Sequence, residues 1–187
     1  MRFVLVSLLV AVAMIATLSC EKDSTKPSGS NSNPQMIDYH ARTSPDSVLM
    51  NLEIAHRFLD IDGYDEQIRD DYVFKPSPED NLEFDELNQI QDHESTDRMF
   101  REVVQIEIEL DASEPFASTR EEEYPPEDGY MMIQVSAVQM FVETRDEVNG
   151  SPVTWHVNGD PALFIFYPDT TDSEINWTIV YQEDQHQ

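Results

Sequence analysis

Cysteine is nearly absent from this chain. Its single thiol, Cys20, stands in 187 residues, so no internal disulfide can form and stability must come from a packed core. Lysine is almost as scarce, with Lys22, Lys26 and Lys75 making the whole set. Against 38 acidic side chains, the 11 basic ones leave a net charge of −27. A surface of that sign repels nucleic acid and anionic headgroups, so nucleic-acid binding is disfavoured. The acidity reads first as adaptation to salty surroundings, where counterions screen self-repulsion. Cation binding is the functional alternative. Five glycines leave little scope for phosphate-cradling loops. No nucleophile elbow, phosphate loop or dinucleotide fingerprint occurs, and no cofactor is expected.

What is present begins with a leader. Arg2 precedes an apolar run from Phe3 to Leu18, broken only by Ser7 and Thr17 and ending at Cys20. That layout is a secretory signal. It falls short of the ~20 residues that span a bilayer comfortably. The end of the run resembles a bacterial lipobox, whose cysteine is lipidated and becomes the mature N-terminus. Ser19 suits that motif, whereas Leu18 and Thr17 are not its usual residues. The expectation is a lipoprotein signal over 1–20, with the domain tied to the membrane through lipidated Cys20 in the cell envelope. An ordinary cleaved signal and an uncleaved anchor are the rival readings. Residues 21–43 are rich in Ser, Asn, Pro and Lys without apolar periodicity, which predicts a flexible polar tether.

The remainder, 44–187, is long enough for one domain with a sizeable core. Ser44 and Pro45 form a helix start, and Val48, Leu49, Leu52, Ala55, Phe58 and Leu59 recur at helical spacing. Asp60, Asp62 and Gly63 are expected to break this helix before a second short one, about 64–70. "YVFKP" (72–76) reads as a strand. A third helix is expected within 82–101, with Leu87, Ile90, Met99 and Phe100 inward; the polar stretch "QDHESTD" argues against its continuity.

The period then changes to two. "VVQIEIELDA" (103–112) places Val104, Ile106, Ile108 and Leu110 on one face of a strand. A long charged connection leads to a central strand over 130–145, for which a bulge is allowed. "EVNGSP" carries a turn signal. "VTWHV", "ALFIFY" and "INWTIVYQE" complete the strands, with Trp177, Ile179 and Tyr181 inward. Helices followed by antiparallel strands make an α+β domain, with helices segregated to one face of a sheet.

This order resembles the nuclear transport factor 2-like (SnoaL-like) superfamily. The stretch "SPDSVLMNLEIAHRFLDIDGYDEQIRDDYVFKPSPED" (44–80) carries the likeness, with "RMF" (98–100) and "WTIVYQED" (177–184). The long acidic segment before Tyr130 departs from it. The resemblance implies N-terminal helices packed on a curved antiparallel sheet, a cone whose open end makes a pocket. It also implies, for enzymes of the family, an Asp, Glu or His beside a Tyr in that pocket, and pairing of two copies through the sheet. No catalytic motif transfers to numbered positions of this chain.

Phe58, Tyr64, Phe74 and Trp155 are the aromatics expected to line a pocket, although aromatics at these spacings are mainly core. His40 and His186 read as solvated. His56 is ambiguous on the first helix, His93 sits between Asp92 and Glu94, and His156 faces away from Trp155. No pair of histidines has metal-ligand spacing, and "DIDGYDE" (60–66) fails the calcium-loop pattern, so no metal is expected. Acid–base chemistry would need a buried carboxylate with a raised pKa beside Tyr or His. Asp70, Asp71, Glu107 and Glu109 read as solvated.

Three functions therefore stand open. The first is a lipid-anchored envelope protein whose cone binds a small apolar ligand or a partner. The second is an isomerase-, dehydratase- or cyclase-like enzyme on a small hydrophobic substrate. The third is a dimerisation module.

Overall fold

A computed structural model describes residues 37–77, 84–148, 151–159, 161–170 and 174–185. The leader, Cys20, residues 21–36 of the expected tether, the Asn149-Gly150 turn and His186 lie outside the described residues.

Helix α1 spans Pro45–Phe58. Ser44 caps it: its hydroxyl accepts from Ser47 N, and the Ser47 hydroxyl accepts from Ser44 N, both at 3.2 Å. This reciprocal pair satisfies two helix-end amides, and a capping side chain is worth about 1 kcal/mol. Val48, Leu49, Leu52 and Ala55 are buried on one stripe. The helix stops at Leu59, which adopts a left-handed conformation with φ 54°. Asp60 N then donates to Ala55 O at 2.9 Å, closing the helix end.

Gly63 does not break a helix but sits inside α2, Ile61–Asp65. A Cβ there would fall 1.9 Å from the Tyr39 hydroxyl oxygen, and that hydroxyl donates to Asp60 at 2.9 Å. Order thus begins before residue 44. His40 N donates to Asn51, Asn51 donates back to His40 O, and Trp177 N donates to Arg42 O.

Strand β1 (Ile68–Lys75) starts where the second helix was expected to continue. Long-range pairing overrides the local pattern: Ile68 aligns with Ile179, and Ile179 N donates to Gln67 O at 2.8 Å. After β2 (Leu87–Asn88), helix α3 runs unbroken over Gln89–Glu102, capped by Asn88 and Gln91. Its polar middle is continuous because that stretch supplies the inward face: Asp92, Thr96, Met99 and Phe100 are buried. Ile90, expected inward, is 66% exposed.

The other strands are β3 (Val103–Ala112), β4 (Phe116–Ala117), β5 (Met131–Val148), β6 (Ser151–Gly159), β7 (Ala162–Asp169) and β8 (Asn176–Asp184). The order is β2-β1-β8-β7-β5-β3, with β4 and β6 also on β5. All pairings are antiparallel except β1–β8, which is parallel. The sheet is therefore mixed and strongly curled.

Three irregularities steer the side chains. A register shift between Val103 and Gln105 turns Val103 inward and leaves Val104, expected inward, 51% exposed. Ser136 is the extra residue opposite Asp111 and Ala112, and its hydroxyl donates to Asp111 at 2.6 Å. This bulge lets one long strand pair with β7 through 131–135 and with β6 beyond Val138. A third shift, at Val180, sends Ile179 to one face and Tyr181 to the other. The main core lies between the helices and the concave face, around Tyr72, Phe74, Ile106, Phe164 and Phe166.

Candidate functional site

Three helices place four polar side chains in the closed part of the cone. His56 comes from the end of α1, Tyr64 from α2, and Asp92 and Thr96 from successive turns of α3. All four are buried. The Tyr64 hydroxyl donates to Asp92 Oδ2 at 2.7 Å. The His56 and Tyr64 rings meet edge to face at 5.4 Å, and Phe100 stands 5.4 Å from His56 in the same manner. The Thr96 hydroxyl faces the Tyr64 phenol without forming a hydrogen bond of normal geometry. Deeper in, the Tyr72 hydroxyl donates to Gln182 Oε1 at 3.1 Å.

The electrostatics follow from burial. Asp92 is pushed up to about 7, chiefly because its charge is desolvated; the Tyr64 hydrogen bond pulls the other way. Tyr64 and Tyr72 are raised for the same principal reason, and the Asp92 charge adds to both. His56 is pushed down to about 4 by desolvation, against the effect of its bond to Leu52 O. That 2.8 Å contact is to a carbonyl, which only accepts. His56 therefore carries its proton on Nδ1 and presents a lone pair at Nε2. Among the described residues, His56 Nε2, Asp92 Oδ1 and Thr96 Oγ1 are buried atoms without a hydrogen-bond partner. A carboxyl titrating near neutrality beside a phenol is a group suited to proton exchange. At the margin, His93 bridges back to Asp65 at 2.7 Å.

The expected pocket aromatics divide. Tyr64 and Phe74 are core, with Tyr64 in the polar cluster. Phe58 and Trp155 are not core: they are 42% and 48% exposed. Phe58 lies on the last turn of α1, off the buried stripe. Trp155 pairs with Val142, which pairs with Ile106, so the three share the concave face. Ile106 and Val142 are buried, and Trp155 stands at the open margin. His156 points the other way, as alternation requires, and its ring meets Phe141 at 5.0 Å. There it borders an open groove of about 620 Å³ with Glu53, Arg57, Glu107 and Glu109. Glu53 accepts from Leu110 N at 3.1 Å, and its pKa is raised by burial.

Asp92 is an interior residue that its charged neighbours His93 and Glu94 disguise in the sequence. The signal that marks it is its spacing to Thr96, Met99 and Phe100, which form one helical stripe. Asp70, Asp71, Glu107 and Glu109 are exposed, in line with their sequence reading.

No family model matches the sequence, and no curated protein matches it. Solved structures do match in shape. A conserved protein from Planctomyces limnophilus superposes with a TM-score of 0.56 at 15% identity, covering 74% of this chain and 90% of that one. A candidate aromatic ring hydroxylase from Novosphingobium aromaticivorans gives 0.53 at 14% identity, with 76% and 86% covered. A ketosteroid isomerase-like protein from Erwinia carotovora atroseptica gives 0.50 at 13% identity, with 76% and 94% covered. The helices-then-sheet order, the curled sheet and these superpositions together establish that the chain has the cone-shaped α+β fold of the nuclear transport factor 2-like superfamily.

Proposed function

We propose that this chain is a lipid-anchored binding protein of the cell envelope. Cys20 is the membrane handle, the polar segment after it is the spacer, and the cone binds a small molecule with an apolar body. One observation carries the binding reading. The concave apolar wall continues from Ile106 and Val142, both buried, to Trp155, which is half exposed at the open margin. An aromatic at such a margin offers a large apolar contact at low entropic cost.

The test isolates that residue. In a Trp177→Phe chain Trp155 is the only tryptophan, because the sequence holds two. Titration with N-phenyl-1-naphthylamine, a neutral apolar fluorophore, should quench Trp155 emission and saturate. A linear, non-saturating response would overturn the binding reading. The anchor has its own measurement: a Cys20→Ala chain should leave the membrane fraction, and unchanged partitioning would remove Cys20 from that role.

The second reading is acid–base catalysis on a small hydrophobic substrate. Its support is the Tyr64–Asp92 pair, and its difficulty is that both groups are sealed from solvent. Carbodiimide labelling distinguishes the two readings. Substrate access to Asp92 predicts its modification alongside the exposed carboxylates of a folded chain. An Asp92 that stays unlabelled eliminates catalysis at that pair.

A further inference from the structure

Three buried polar atoms gather between the helices with no hydrogen-bond partner in the chain. They are His56 Nε2 from α1, and Asp92 Oδ1 and Thr96 Oγ1 from α3. The residues that carry them are 2%, 0% and 0% exposed. Their positions share one centre. The Tyr64 hydroxyl donates to the other oxygen of the same carboxyl, Asp92 Oδ2, at 2.7 Å, and Thr96 faces that phenol. The His56 ring stands edge to face against both Tyr64 and Phe100 at 5.4 Å. Phe100 follows Thr96 by one turn of α3. All three atoms therefore lie around the Tyr64 and Phe100 rings.

A polar atom sealed from solvent forfeits the hydrogen bonds it made in water, so folded chains pair such atoms with protein groups or with ordered water. The pairing rules specify what fits here. His56 Nδ1 donates to Leu52 O at 2.8 Å, so Nε2 can only accept. The Thr96 hydroxyl can give or take a proton. Asp92 Oδ1 accepts when the carboxyl is ionised and donates when it is protonated there. The occupant must then donate to His56 always, and must be able both to donate to Asp92 and to accept from it. Water has two protons and two lone pairs, and meets each demand. Ammonium has no lone pair with which to accept, and its charge would be desolvated at this depth.

We propose that a single internal water molecule binds here and pegs α1 to α3 beside Tyr64. Its partners are His56 Nε2, Asp92 Oδ1 and Thr96 Oγ1, and about three bonds is the ordinary number for a buried water. The peg accounts for an Asp and a Thr on the inward stripe of α3, between α1 and α2, where Met99 and Phe100 continue as apolar packing. The site is separate from the wall that ends at Trp155, and it needs no path for a substrate. It therefore stands or falls independently of the ligand reading and of the catalytic one.

The first experiment is a crystal structure of the full chain, grown without ammonium, at a resolution that orders solvent. One density peak should lie about 2.7–3.2 Å from all three atoms. Three atoms unbridged, or bonded directly to one another, overturn the proposal. So does a peak that appears only when ammonium is added. The second experiment counts long-lived internal waters in solution by oxygen-17 relaxation dispersion. Thr96→Val should lose one slow water relative to wild type, and Thr96→Ser, which keeps the hydroxyl, should retain it. Equal counts for wild type and Thr96→Val, or a water lost in Thr96→Ser, overturn the site. Thermal melting supplies the sign. Removing a hydroxyl bonded to a bound water lowers Tm, by about 2–4 °C for a domain of this size, whereas removing an unpaired one relieves a cost and raises it. An unchanged or raised Tm in Thr96→Val overturns the peg. If that variant does not fold, the wild-type crystal and the Thr96→Ser count decide.

Discussion

On the concave face of the sheet, Ile106, Val142 and Phe164 are buried under regular helices. On the opposite face, Ile165, Val180 and Tyr181 are buried under tyrosines of an irregular, charged connection. The first cover is thick and encloses polar groups that water does not reach. The second is one layer of chain fastened by ring contacts, a cation over a ring and an ion pair. A helix brings its own backbone hydrogen bonds and so seals what it covers. A connection lacks most of these bonds, so its hold depends on a few side chains. The concave face therefore has the more extensive cover, and the opposite face the thinner one.

The largest expected effect would come from hollowing the concave side. Phe74→Ala removes a fully buried ring and should cost about 3–5 kcal/mol in urea denaturation, as a large-to-small core change does. Tyr124→Ala on the other face should cost only about 1–2 kcal/mol, the range for a half-buried aromatic contact. Equal losses at the two positions would break the contrast between the faces.

Next comes the pH response of the buried cluster, where two groups act in opposite directions. Asp92 rises from 3.8 to about 7 in the folded state. Between those values the native chain holds a proton that the unfolded chain has lost. Its stabilising share is full below about pH 4 and disappears as pH rises through about 7. His56 falls from 6.5 to about 4, so its share is full above 6.5 and is lost as pH falls through about 4. The shifts correspond to at most roughly 4–5 kcal/mol for Asp92 and 3–4 kcal/mol for His56, and the two largely cancel between pH 4 and 6.5. Single variants should uncover the slopes. Asp92→Asn should make stability climb with pH across that window, and His56→Gln should make it decline. Thermal melts from pH 4 to 7 read both, and parallel curves for the two variants would refute the assignment.

The smallest effect sharpens the comparison at a helix end. Ser44→Ala removes the cap of α1 and should cost about 1 kcal/mol, without increasing Glu-C cleavage at the exposed Glu121, Glu122 and Glu123 of the connection between β3 and β5. Faster cleavage in that variant would mean that the two faces open together.

Some of this architecture is visible in the residues. The Ser44-Pro45 start and the Val48 to Ala55 stripe identify α1, and the alternation at Ile106 and Ile108 identifies β3. The polar middle of α3 is not legible as interior, because a buried Asp and Thr look like solvent-facing residues until their partners are known. Asp92 is tolerated inside because Tyr64, 28 residues away, donates to it, and no local pattern encodes that meeting. Val104 and Tyr181 face opposite to what alternation predicts for a different reason. A single extra residue in a strand reverses every side chain beyond it, and a bulge is set by the partner strand. The pocket candidates Phe58 and Trp155 depended on where α1 ends and how far the helices cover the sheet, which are tertiary quantities.

By itself the sequence determined the acidic surface, the disulfide-free core, the helices-then-strands order and the class of fold, because charge and periodicity are properties of neighbouring residues. Only the tertiary structure decided that Asp92 meets Tyr64 in a sealed interior, that Trp155 stands at the open margin, and that the acidic connection is a cover for the sheet. Each of those is a contact between residues distant in the chain, and its energy exists only once the sheet has curled and brought them together.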